Sequence, residues 1–396
     1  MKYKADTRKK TPDLRVVKSS IGAIEMKKNE QTIMLFAADP GGANSIAVLS
    51  NYLQKQNYNT VLFARDITLK HLKNKGYKNV TLLDDNINQY DIQSIESLIS
   101  PYDPSLLVTS TTGRDFIERT TWLVGNKLNV PTVAILDQWM NYSLRFLKQH
   151  YLHQHKNEYA LDEYILPSSI IVMDESAKLA MVQEGLPHNI IHPLGCPYFD
   201  NLKQKAKRNK LIKRDTVNIL FASEPITKIY GNKLGRNIHG YTEKTILRVL
   251  CEHIQALDKK RKIKLIIKPH PRESSKRYSE FLAKFDFTLI CKERSVLDSF
   301  KHSDIVFGMS STVLLEATIF NKPTLSLHLG SNKKSTYLLE QLNKTEAIRK
   351  RYKLTAVIKN LLTKQLTPYN QQIELTSGSA CHEITKHIAK LIKLHN

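Results

Sequence analysis

The sequence TIMLFAADPGGANSIAVLSNYLQ, Thr32–Gln54, contains a complete strand–turn–helix unit. Its first part, Thr32–Ala38, is a nearly continuous apolar run, which is typical of a strand buried on both faces. The middle part, Asp39–Gly42, consists of turn-forming residues, and Ala43–Gln54 has the apolar spacing of an amphipathic helix. A buried strand followed by such a helix is the repeating unit of a parallel sheet that carries helices on both faces.

The same unit recurs along the first half of the chain. The predicted strands are Thr60–Ala64, Val80–Asp84, Leu106–Thr111, Thr132–Asp137 and Ile170–Asp174, and the predicted helices are Thr68–Lys75 and Asp115–Leu128. Parallel strands joined by right-handed crossovers form a Rossmann-like domain. We therefore predict such a domain over residues 31–200, preceded by a basic, disordered leader at residues 1–30.

A basic segment separates this domain from a second one. NLKQKAKRNKLIKRD, Asn201–Asp215, contains seven basic residues and one acidic residue, so residues 201–215 are predicted to form a linker. The alternation then restarts and predicts a second Rossmann-like domain at residues 216–334, followed by C-terminal helices at residues 335–396. Its predicted strands are Val217–Ala222, Ile263–Lys268, Phe287–Cys291, Ile305–Phe307 and Thr324–Leu327, and its predicted helices are Thr242–Leu257, Ser275–Lys284, Val296–His302 and Ser311–Ile319. The predicted fold class is therefore α/β, with two tandem Rossmann-like domains facing a central cleft, where the ligands of such sheets bind.

The composition excludes several classes of protein. Hydrophobic residues make up 41% of the 396 residues, too many for a disordered chain, and 14 Gly and 14 Pro are too few for collagen-like material. No apolar run approaches the roughly 20 residues that a membrane-spanning helix needs. The four cysteines are far apart and form no CxxC pair, so neither a disulfide framework nor a metal site is predicted, and no cofactor is expected.

The chain is strongly basic. The 60 Lys and Arg residues exceed the 37 Asp and Glu residues, which gives a formal charge of +23. Such a surplus attracts anionic partners, although a biased genome composition produces the same excess. Nucleic acid is not the expected partner, because no helix-turn-helix, zinc-finger or RRM pattern is present. We expect a cytoplasmic protein, peripheral on the inner face of the membrane if the charge serves binding there.

The last segment, CHEITKHIAKLIKLHN, predicts a basic amphipathic helix. Ile384, Ile388, Leu391 and Ile392 share one face of this helix, with lysines beside it. Such a helix either lies on an anionic membrane surface or packs its apolar stripe against its own protein. The sequence leaves both alternatives open.

The turn after the first strand is a candidate ligand site. Gly41 and Gly42 permit a tight turn and close approach of a ligand to the backbone, and the helix that follows begins with free N–H groups. Asp39 is then a candidate general base. Gly41, Gly42 and Asn44 are candidate residues for binding an acceptor substrate. The alternative is an ordinary turn in which Asp39 or Asn44 caps the helix.

A histidine between two prolines follows a strand of the second domain. LIIKPHPRES, Leu265–Ser274, holds His270 in a defined backbone conformation because proline fixes φ and restricts the residue before it. A histidine can donate a hydrogen bond to a phosphate oxygen or transfer a proton near neutral pH. His270 and the neighbouring cation Arg272 are therefore candidate phosphate-binding residues, and His270 is also a candidate catalytic residue.

A second polar motif follows the next but one strand of that domain. DIVFGMSSTVLLEA, Asp304–Ala317, places Ser310, Ser311 and Thr312 at the N-terminus of a predicted helix. Hydroxyl groups and free N–H groups at a helix N-terminus bind anions, although such residues alone are simply a good helix cap. Together with His270, they predict one phosphate site built from neighbouring strand ends.

The two domains, together with KPHP and SSTVLLEA, resemble GT-B glycosyltransferases that carry HP and SS/ST motifs. This group includes bacterial sialyltransferases and polysialyltransferases, and CDP-glycerol glycerophosphotransferases have a similar arrangement. The resemblance covers roughly Thr32–Gly330 in architecture, but its specific motifs lie only in the second domain. It implies that His270 contacts the phosphate of the donor and that Ser310, Ser311 or Thr312 bind the same group.

The resemblance also implies roles for three carboxylates. Such enzymes carry an acid/base carboxylate in the first domain, in an acidic pair followed by glycine; DPGG departs from that pattern, and Asp39 is its nearest equivalent. Glu316 lies where many GT-B enzymes bind the ribose of the nucleotide with a carboxylate. Glu224, in FASEP after the first strand of the second domain, faces the predicted cleft and is a further candidate on the donor side.

A crowded polar and aromatic segment follows a strand of the first domain. This segment is ILDQWMNYSLRF, Ile135–Phe146. Aromatic faces stack on sugar rings, while carboxylate and amide groups bind hydroxyl groups. Asp137, Trp139 and Asn141 are therefore candidate acceptor-binding residues, unless Trp139 anchors the loop to the core.

From these observations we expect a metal-independent glycosyltransferase that uses a nucleotide-activated sugar, with CMP as a candidate nucleotide. It would build a bacterial surface polysaccharide, such as a capsule or lipopolysaccharide. Its expected partners are the nucleotide-sugar donor, a glycan or lipid-linked acceptor of acidic character, and an anionic membrane surface. The alternatives are a CDP-polyol phosphotransferase of wall or capsule synthesis and a non-catalytic subunit of a polysaccharide assembly complex. A UDP-sugar 2-epimerase shares the architecture but ranks below these, because the Gly-Gly-x-Gln-Glu-Glu helix opening of that family is absent.

Overall fold

The structure, a computed structural model, describes residues 31–113, 115–148, 161–207, 215–257, 262–293, 295–331, 340, 347–363 and 378–395. The predicted leader at residues 1–30 lies outside the described residues, as does part of the predicted linker, residues 208–214. The described residues form two parallel sheets with helices packed on both faces. The exact domain boundaries stay predictions.

The first sheet has seven strands in the order β3-β2-β1-β4-β5-β6-β7, all parallel. Its strands are β1 (Thr32–Ala37), β2 (Asn59–Ala64), β3 (Thr81–Leu82), β4 (Leu106–Thr109), β5 (Thr132–Ile135), β6 (Ser169–Ile171) and β7 (Ile191–His192). The helices along this part of the chain are α1 (Pro40–Lys55), α2 (Asp66–Asn74), α3 (Ile92–Ile99), α4 (Ile117–Leu128), α5 (Glu175–Gln183) and α6 (Pro197–Lys207).

The second sheet has five parallel strands in the order β10-β9-β8-β11-β12. Its strands are β8 (Thr216–Ala222), β9 (Lys262–Lys268), β10 (Thr288–Ile290), β11 (Ile305–Gly308) and β12 (Thr324–Ser326). The helices along it are α7 (Ile226–His239), α8 (Glu243–Gln255), α9 (Ser279–Lys284), α10 (Val296–Lys301) and α11 (Thr312–Ile319), and α12 (Arg351–Thr363) and α13 (Ala380–His395) follow.

Strand β1 shows why the first sheet is covered on both faces. One apolar cluster contains Ile33, Leu35 and Ala37, and a different cluster contains Met34 and Phe36. All five side chains are fully buried. Successive side chains of a strand point to opposite faces of its sheet, so each face has its own core. The continuous apolar run in the sequence follows from this double burial.

The C-terminal helix α13 packs against the first domain. Ala380, Ile384, Ile388 and Ile392 are buried in the same apolar cluster as residues of β1 and α1. The packing alternative for the apolar stripe is therefore the one observed, and this stripe is not free to lie on a membrane. None of the helices among the described residues is both long enough and apolar enough to cross a bilayer.

Helix α6 connects the two domains through side-chain packing. Its N-terminal part joins an apolar cluster that contains Phe199 and Leu202 together with Leu314 and Phe320 of the second domain. Its C-terminal part extends into the predicted linker, because the basic residues there lie on a helix that ends at Lys207. A basic run can be the solvated face of a helix, and that is the observed arrangement here.

Candidate functional site

Both sheets offer a crevice at the place where their strand order reverses. The reversal lies between β1 and β4 in the first sheet and between β8 and β11 in the second. Ligands of open α/β sheets bind at the carboxyl ends of the strands beside such a reversal. Phe36, Thr109 and Ala134 are paired across β1, β4 and β5. Asp39, Thr112 and Asp137 each follow these paired residues by three positions, so they lie side by side at this edge of the sheet.

Asp39 caps helix α1 in the structure. Its Oδ1 accepts a hydrogen bond from the backbone N–H of Gly42 at 2.9 Å. A Cβ on Gly41 would lie 3.2 Å from a carboxylate oxygen of Asp39 and 3.2 Å from one of Asp137, and a Cβ on Gly42 would lie 2.5 Å from Cβ of Ser110. A side chain at position 42 would overlap with Ser110, so glycine is needed there, whereas Gly41 lies close to the carboxylates of Asp39 and Asp137. The roles of Asp39 in proton transfer and of the glycines in acceptor binding stay predictions.

The structure adds a buried carboxylate, Glu118, which the sequence analysis missed. Glu118 lies on α4 and is 1% exposed. It accepts hydrogen bonds from Oγ of Ser110 and, at 2.6 Å, from the backbone N–H of Thr112. Burial raises the pKa of Glu118 to about 8, and the negative charge of Asp39 contributes to the rise. The group therefore holds a proton at neutral pH, behind the loop that follows β4.

Asp137 lies on the loop after β5, beside Arg145. The distance from Oδ1 of Asp137 to Nη1 of Arg145 is 3.7 Å, and this nitrogen also donates a hydrogen bond to the carbonyl oxygen of Thr111 at 2.7 Å. Burial raises the pKa of Asp137 to about 6, while Arg145 opposes the rise and Asp39 adds to it. Asp137 can therefore exchange a proton near neutral pH.

Two further candidates of the loop after β5 have different surroundings. Trp139 is 6% exposed, its indole N–H donates to Oδ2 of Asp174 at 2.7 Å, and its ring stacks on Phe199 with 5.6 Å between the centroids. These contacts match the alternative in which Trp139 anchors the loop to the core, and its binding of an acceptor stays a prediction. Asn141 is exposed and has a positive φ of 55°.

Asn44 takes part in a contact between α1 and α2. Its Oδ1 accepts hydrogen bonds from Nε2 of His71 at 2.9 Å and from Nζ of Lys75 at 2.7 Å. Burial lowers the pKa of His71 to about 4, and the charge of Lys75 lowers it further. Asn44 therefore contacts two basic side chains, and its binding of an acceptor stays a prediction.

In the second sheet, Glu224 occupies the N-terminus of α11. Its Oε1 accepts a hydrogen bond from the backbone N–H of Ser310 at 2.5 Å, and the backbone N–H groups of Ser311 and Met309 also bond to the carboxylate. Burial nevertheless raises the pKa of Glu224 to about 7. Glu224 thus binds N–H groups of the segment just before α11, and the phosphate binding predicted for Ser310, Ser311 and Thr312 stays a prediction.

His270 lies level with Glu224 and Ser310, because the register of β8, β9 and β11 places all three equally far beyond their strands. The backbone N–H of Arg272 donates to Nδ1 of His270 at 3.1 Å, so the neutral ring carries its proton on Nε2. The backbone N–H of His270 donates to Oε2 of Glu273 at 2.9 Å, which fixes the turn. Burial lowers the pKa of His270. The side chain of Arg272 is exposed.

Glu316 lies on α11 and faces α6. Its Oε1 accepts a hydrogen bond from the hydroxyl of Tyr198 at 3.0 Å. Its Oε2 is buried and has no hydrogen-bond partner among the residues that the structure describes. Burial raises the pKa of Glu316, and the charge of Lys75 opposes the rise. A buried oxygen without a donor is suited to a ligand hydroxyl group.

Predicted residues of the two domains meet across a narrow cleft. Its lining consists of Asp137, Gln138, Trp139 and Met140 from the first domain and Ser310, Ser311, Thr312 and Leu315 from the second. The structure thus brings the loop after β5 against the start of α11. In the described ranges, His, Cys, Asp and Glu side chains do not form a group of three or more that would suit a metal ion.

A sequence profile of the family described as UDP-N-acetylglucosamine 2-epimerase matches residues 168–389, which is more than half of the chain. A search of curated proteins by sequence finds no match. The match includes the second domain with His270 and Glu316, and it begins within the first.

Several solved structures share the fold of the whole chain. The UDP-GlcNAc 2-epimerase from Neisseria meningitidis, bound to UDP-GlcNAc, is 15% identical, with a TM-score of 0.61 over 91% of this chain and 100% of that one. MurG from Acinetobacter baumannii is 10% identical, with a TM-score of 0.56 over 91% and 99%. The wall teichoic acid polymerase TagF with CDPG is 13% identical, with a TM-score of 0.51 over 91% and 88%. These similarities confirm the predicted fold class of two Rossmann-like domains of the GT-B type with C-terminal helices.

Proposed function

The chain belongs to the UDP-N-acetylglucosamine 2-epimerase family, and on this premise we propose that it is an enzyme that converts a nucleotide sugar in the cleft between its two domains. The sialyltransferase-like family that the HP and SS/ST motifs suggested is not supported by the family match. The sequence analysis ranked a UDP-sugar 2-epimerase below the other functions, and that ranking was wrong for the family. The absence of the Gly-Gly-x-Gln-Glu-Glu helix opening, on which it was based, is nevertheless correct. Residues 311–316 replace four of the five fixed residues of Gly-Gly-x-Gln-Glu-Glu and retain only Glu316.

The nucleotide would bind to the second domain. The buried Oε2 of Glu316 has no hydrogen-bond partner among the described residues, and a ribose hydroxyl group would supply the missing donor. The Nε2–H of His270 suits a phosphate oxygen. Because Glu224 already binds the N–H groups at the start of α11, we assign the phosphate primarily to His270 rather than to Ser310 and Ser311.

The sugar would face the first domain, and Asp137 carries this part of the proposal. It lies on the cleft wall opposite the start of α11, and burial raises its pKa to about 6. A carboxylate with a pKa near the working pH serves well as a general acid or base. The negative charge of Asp39 adds to this rise. We therefore assign proton transfer to Asp137 before Asp39, which is engaged as a helix cap.

Two reactions suit such a site. Epimerisation at carbon 2 of a UDP-sugar, supported by the family, would remove the proton from that carbon while the bond between carbon 1 and the UDP oxygen breaks. A proton then returns to the opposite face of carbon 2 as UDP is added back to carbon 1. Glycosyl transfer is supported by the start of α11, where the helix opening of the epimerase family is replaced. In this reaction a base would take the proton of an acceptor hydroxyl group while the bond between the sugar and the phosphate breaks. A role in a bacterial surface polysaccharide, a CMP donor and the CDP-polyol alternative stay proposals of the same kind.

Nucleotide binding is the first test of the site. We expect thermal stabilisation by UDP, measured beside CMP, CDP and GDP, because a ligand of the folded state raises its melting temperature. The effect should weaken in His270→Ala and in Glu316→Gln, and remain in His302→Ala, a histidine exposed at the end of α10. If none of the four nucleotides stabilises the protein, the nucleotide-sugar proposal is contradicted, and a non-catalytic role gains support.

Product analysis then separates the reactions. Incubation with UDP-N-acetylglucosamine, followed by NMR and mass spectrometry, should reveal an epimer of unchanged mass if the protein is an epimerase. A glycosyltransferase leaves this compound unchanged without acceptor and forms a heavier product when the acceptor is present. Asp137→Asn should abolish either product with little change in UDP binding. Full turnover by this variant would contradict the assignment of proton transfer to Asp137.

A further inference from the structure

Helix α7 exposes an unusual number of apolar side chains. Ile229, Tyr230, Leu234 and Ile238 are each 40–52% exposed. They account for four of the thirteen large apolar side chains that are exposed among the described residues, and they lie within ten residues of sequence. Monomeric proteins rarely leave apolar side chains clustered on their surface unless something binds there.

Most residues of α7 are exposed. Between Lys228 and Ile238 only Gly235 is buried, and a Cβ at this position would lie 2.9 Å from Cγ2 of Ile226. Gly231, with φ of 73°, interrupts the helix. Ile226, which lies in the apolar core of the second domain, therefore anchors the start of α7 and lies close to Gly235, while residues 228–234 are exposed.

The exposed apolar residues alternate with cations. Lys228, Lys233 and Arg236 are exposed on α7, and no acidic residue occurs between Glu224 and Glu243. An interfacial helix that binds anionic lipid combines apolar side chains with Lys and Arg in this way. Two copies of this surface would bring like charges together, so self-association is disfavoured. The formal charge of +23 for the whole chain adds attraction to any anionic surface.

We propose that α7, by means of Ile229, Tyr230, Leu234 and Ile238 and the cations among them, docks on an anionic membrane surface. The apolar side chains enter the region between headgroups and acyl chains, and Lys228, Lys233 and Arg236 contact lipid phosphates. The proposal does not depend on the reaction. Helix α7 starts two residues after Glu224, and Nζ of Lys228 donates a hydrogen bond to the carbonyl oxygen of Arg272. Docking therefore brings the turn of His270 close to the membrane.

Co-sedimentation with vesicles tests this proposal. The full chain should bind vesicles of equal parts phosphatidylglycerol and phosphatidylcholine, bind pure phosphatidylcholine vesicles at least tenfold more weakly, and lose affinity as salt is raised. The variant Ile229→Ser/Leu234→Ser/Ile238→Ser should lose at least tenfold of the binding. Lys228→Gln/Lys233→Gln/Arg236→Gln should lose binding and its salt dependence. The matched control, Ile67→Ser/Leu179→Ser/Leu394→Ser, removes three apolar side chains exposed elsewhere and should bind as the wild type does.

Three results would overturn the proposal. The first is a wild type that does not bind anionic vesicles, and the second is undiminished binding by the apolar variant of α7. The third is a dimer in light scattering that the apolar variant converts to a monomer, which would make the surface an interface between copies. Circular dichroism and the melting temperature of each variant show whether it is folded, and the charge variant tests the same surface without removing apolar side chains.

Discussion

The carboxyl group of Glu118 should make the stability of the first domain fall as the pH rises. The group is 1% exposed, and burial raises its pKa from 4.5 to about 8 in the folded protein. The folded state therefore keeps a proton that the unfolded state releases above pH 4.5. Stability falls with pH wherever the folded state binds more protons, so the loss extends from about pH 4.5 to about pH 8.

The magnitude follows from the size of the shift. A rise from 4.5 to about 8 makes the contribution of this group at pH 8 less favourable than at pH 5 by ~3 kcal/mol, since one pKa unit corresponds to ~1.4 kcal/mol. Glu118→Gln removes the titration and keeps an oxygen to accept the hydrogen bond from Thr112 and an amide group for Ser110. The variant should therefore lack this part of the pH dependence.

Urea unfolding followed by tryptophan fluorescence measures this effect. The two tryptophans of the chain, Trp122 and Trp139, lie on α4 and on the loop after β5, so the signal reports on the first domain. The free energy of unfolding of wild type and Glu118→Gln should converge near pH 5 and diverge toward pH 8. Glu96→Gln, which removes a carboxylate paired with Lys127, is the control and should keep the wild-type slope. Equal slopes for wild type and Glu118→Gln would refute the reasoning.

Three further predictions concern packing, capping and reactivity. Gly42→Ala should lower the free energy of unfolding by ~1–3 kcal/mol in the same assay, because the new Cβ would lie 2.5 Å from Cβ of Ser110. Asp200→Ala should cost ~1–2 kcal/mol and speed proteolysis near the start of α13, because its carboxylate accepts two backbone hydrogen bonds there, at 3.0 and 2.6 Å; unchanged cleavage would contradict this role. Cys196 and Cys381 should react with Ellman's reagent at pH 8 only after unfolding, since burial raises the pKa of both thiols to about 12.

Much of the fold is predictable because most strands are buried on both faces. The first predicted strand, Thr32–Ala38, differs from β1 by one residue. The prediction Val80–Asp84 was longer than the observed β3, Thr81–Leu82, because this edge strand is exposed and its apolar residues do not all pack. The continuous apolar run is thus a reliable signal in the middle of a parallel sheet and a weak one at its edge.

Helices whose sequences break the usual patterns were missed. Helix α6 was hidden because its last residues belong to a basic run that is typical of a linker. Helix α7 was missed because Gly231 interrupts it and because its apolar side chains are exposed and do not show the spacing of a helix that packs on a core. Both helices have a role beyond local folding, since α6 packs between the domains and α7 is the proposed membrane surface.

Some residues of the candidate site could be predicted from the sequence, and others could not. Asp39, Asp137, Glu224 and His270 were recognised because each follows a strand, where a parallel sheet gathers its functional side chains. Glu118 was missed because it lies inside a helix without a motif, and its importance depends on a loop packed over it. The occupation of the α11 N-terminus by Glu224 was equally hidden, since no local pattern reveals a contact between residues 224 and 310.

The distribution of charge sets a condition on any substrate of this cleft. The protein is strongly basic overall, yet burial raises the pKa of Asp137, which lines the cleft, and of Glu224, which binds the backbone N–H of Ser310 in the cleft wall. A charged carboxylate repels an anionic ligand such as a nucleotide sugar, whereas a protonated carboxyl group can donate a hydrogen bond to it. A basic exterior that attracts an anion is therefore compatible with buried carboxyl groups whose pKa is raised. The same burial brings the pKa of Asp137 to about 6, which suits the proton transfer proposed for this residue.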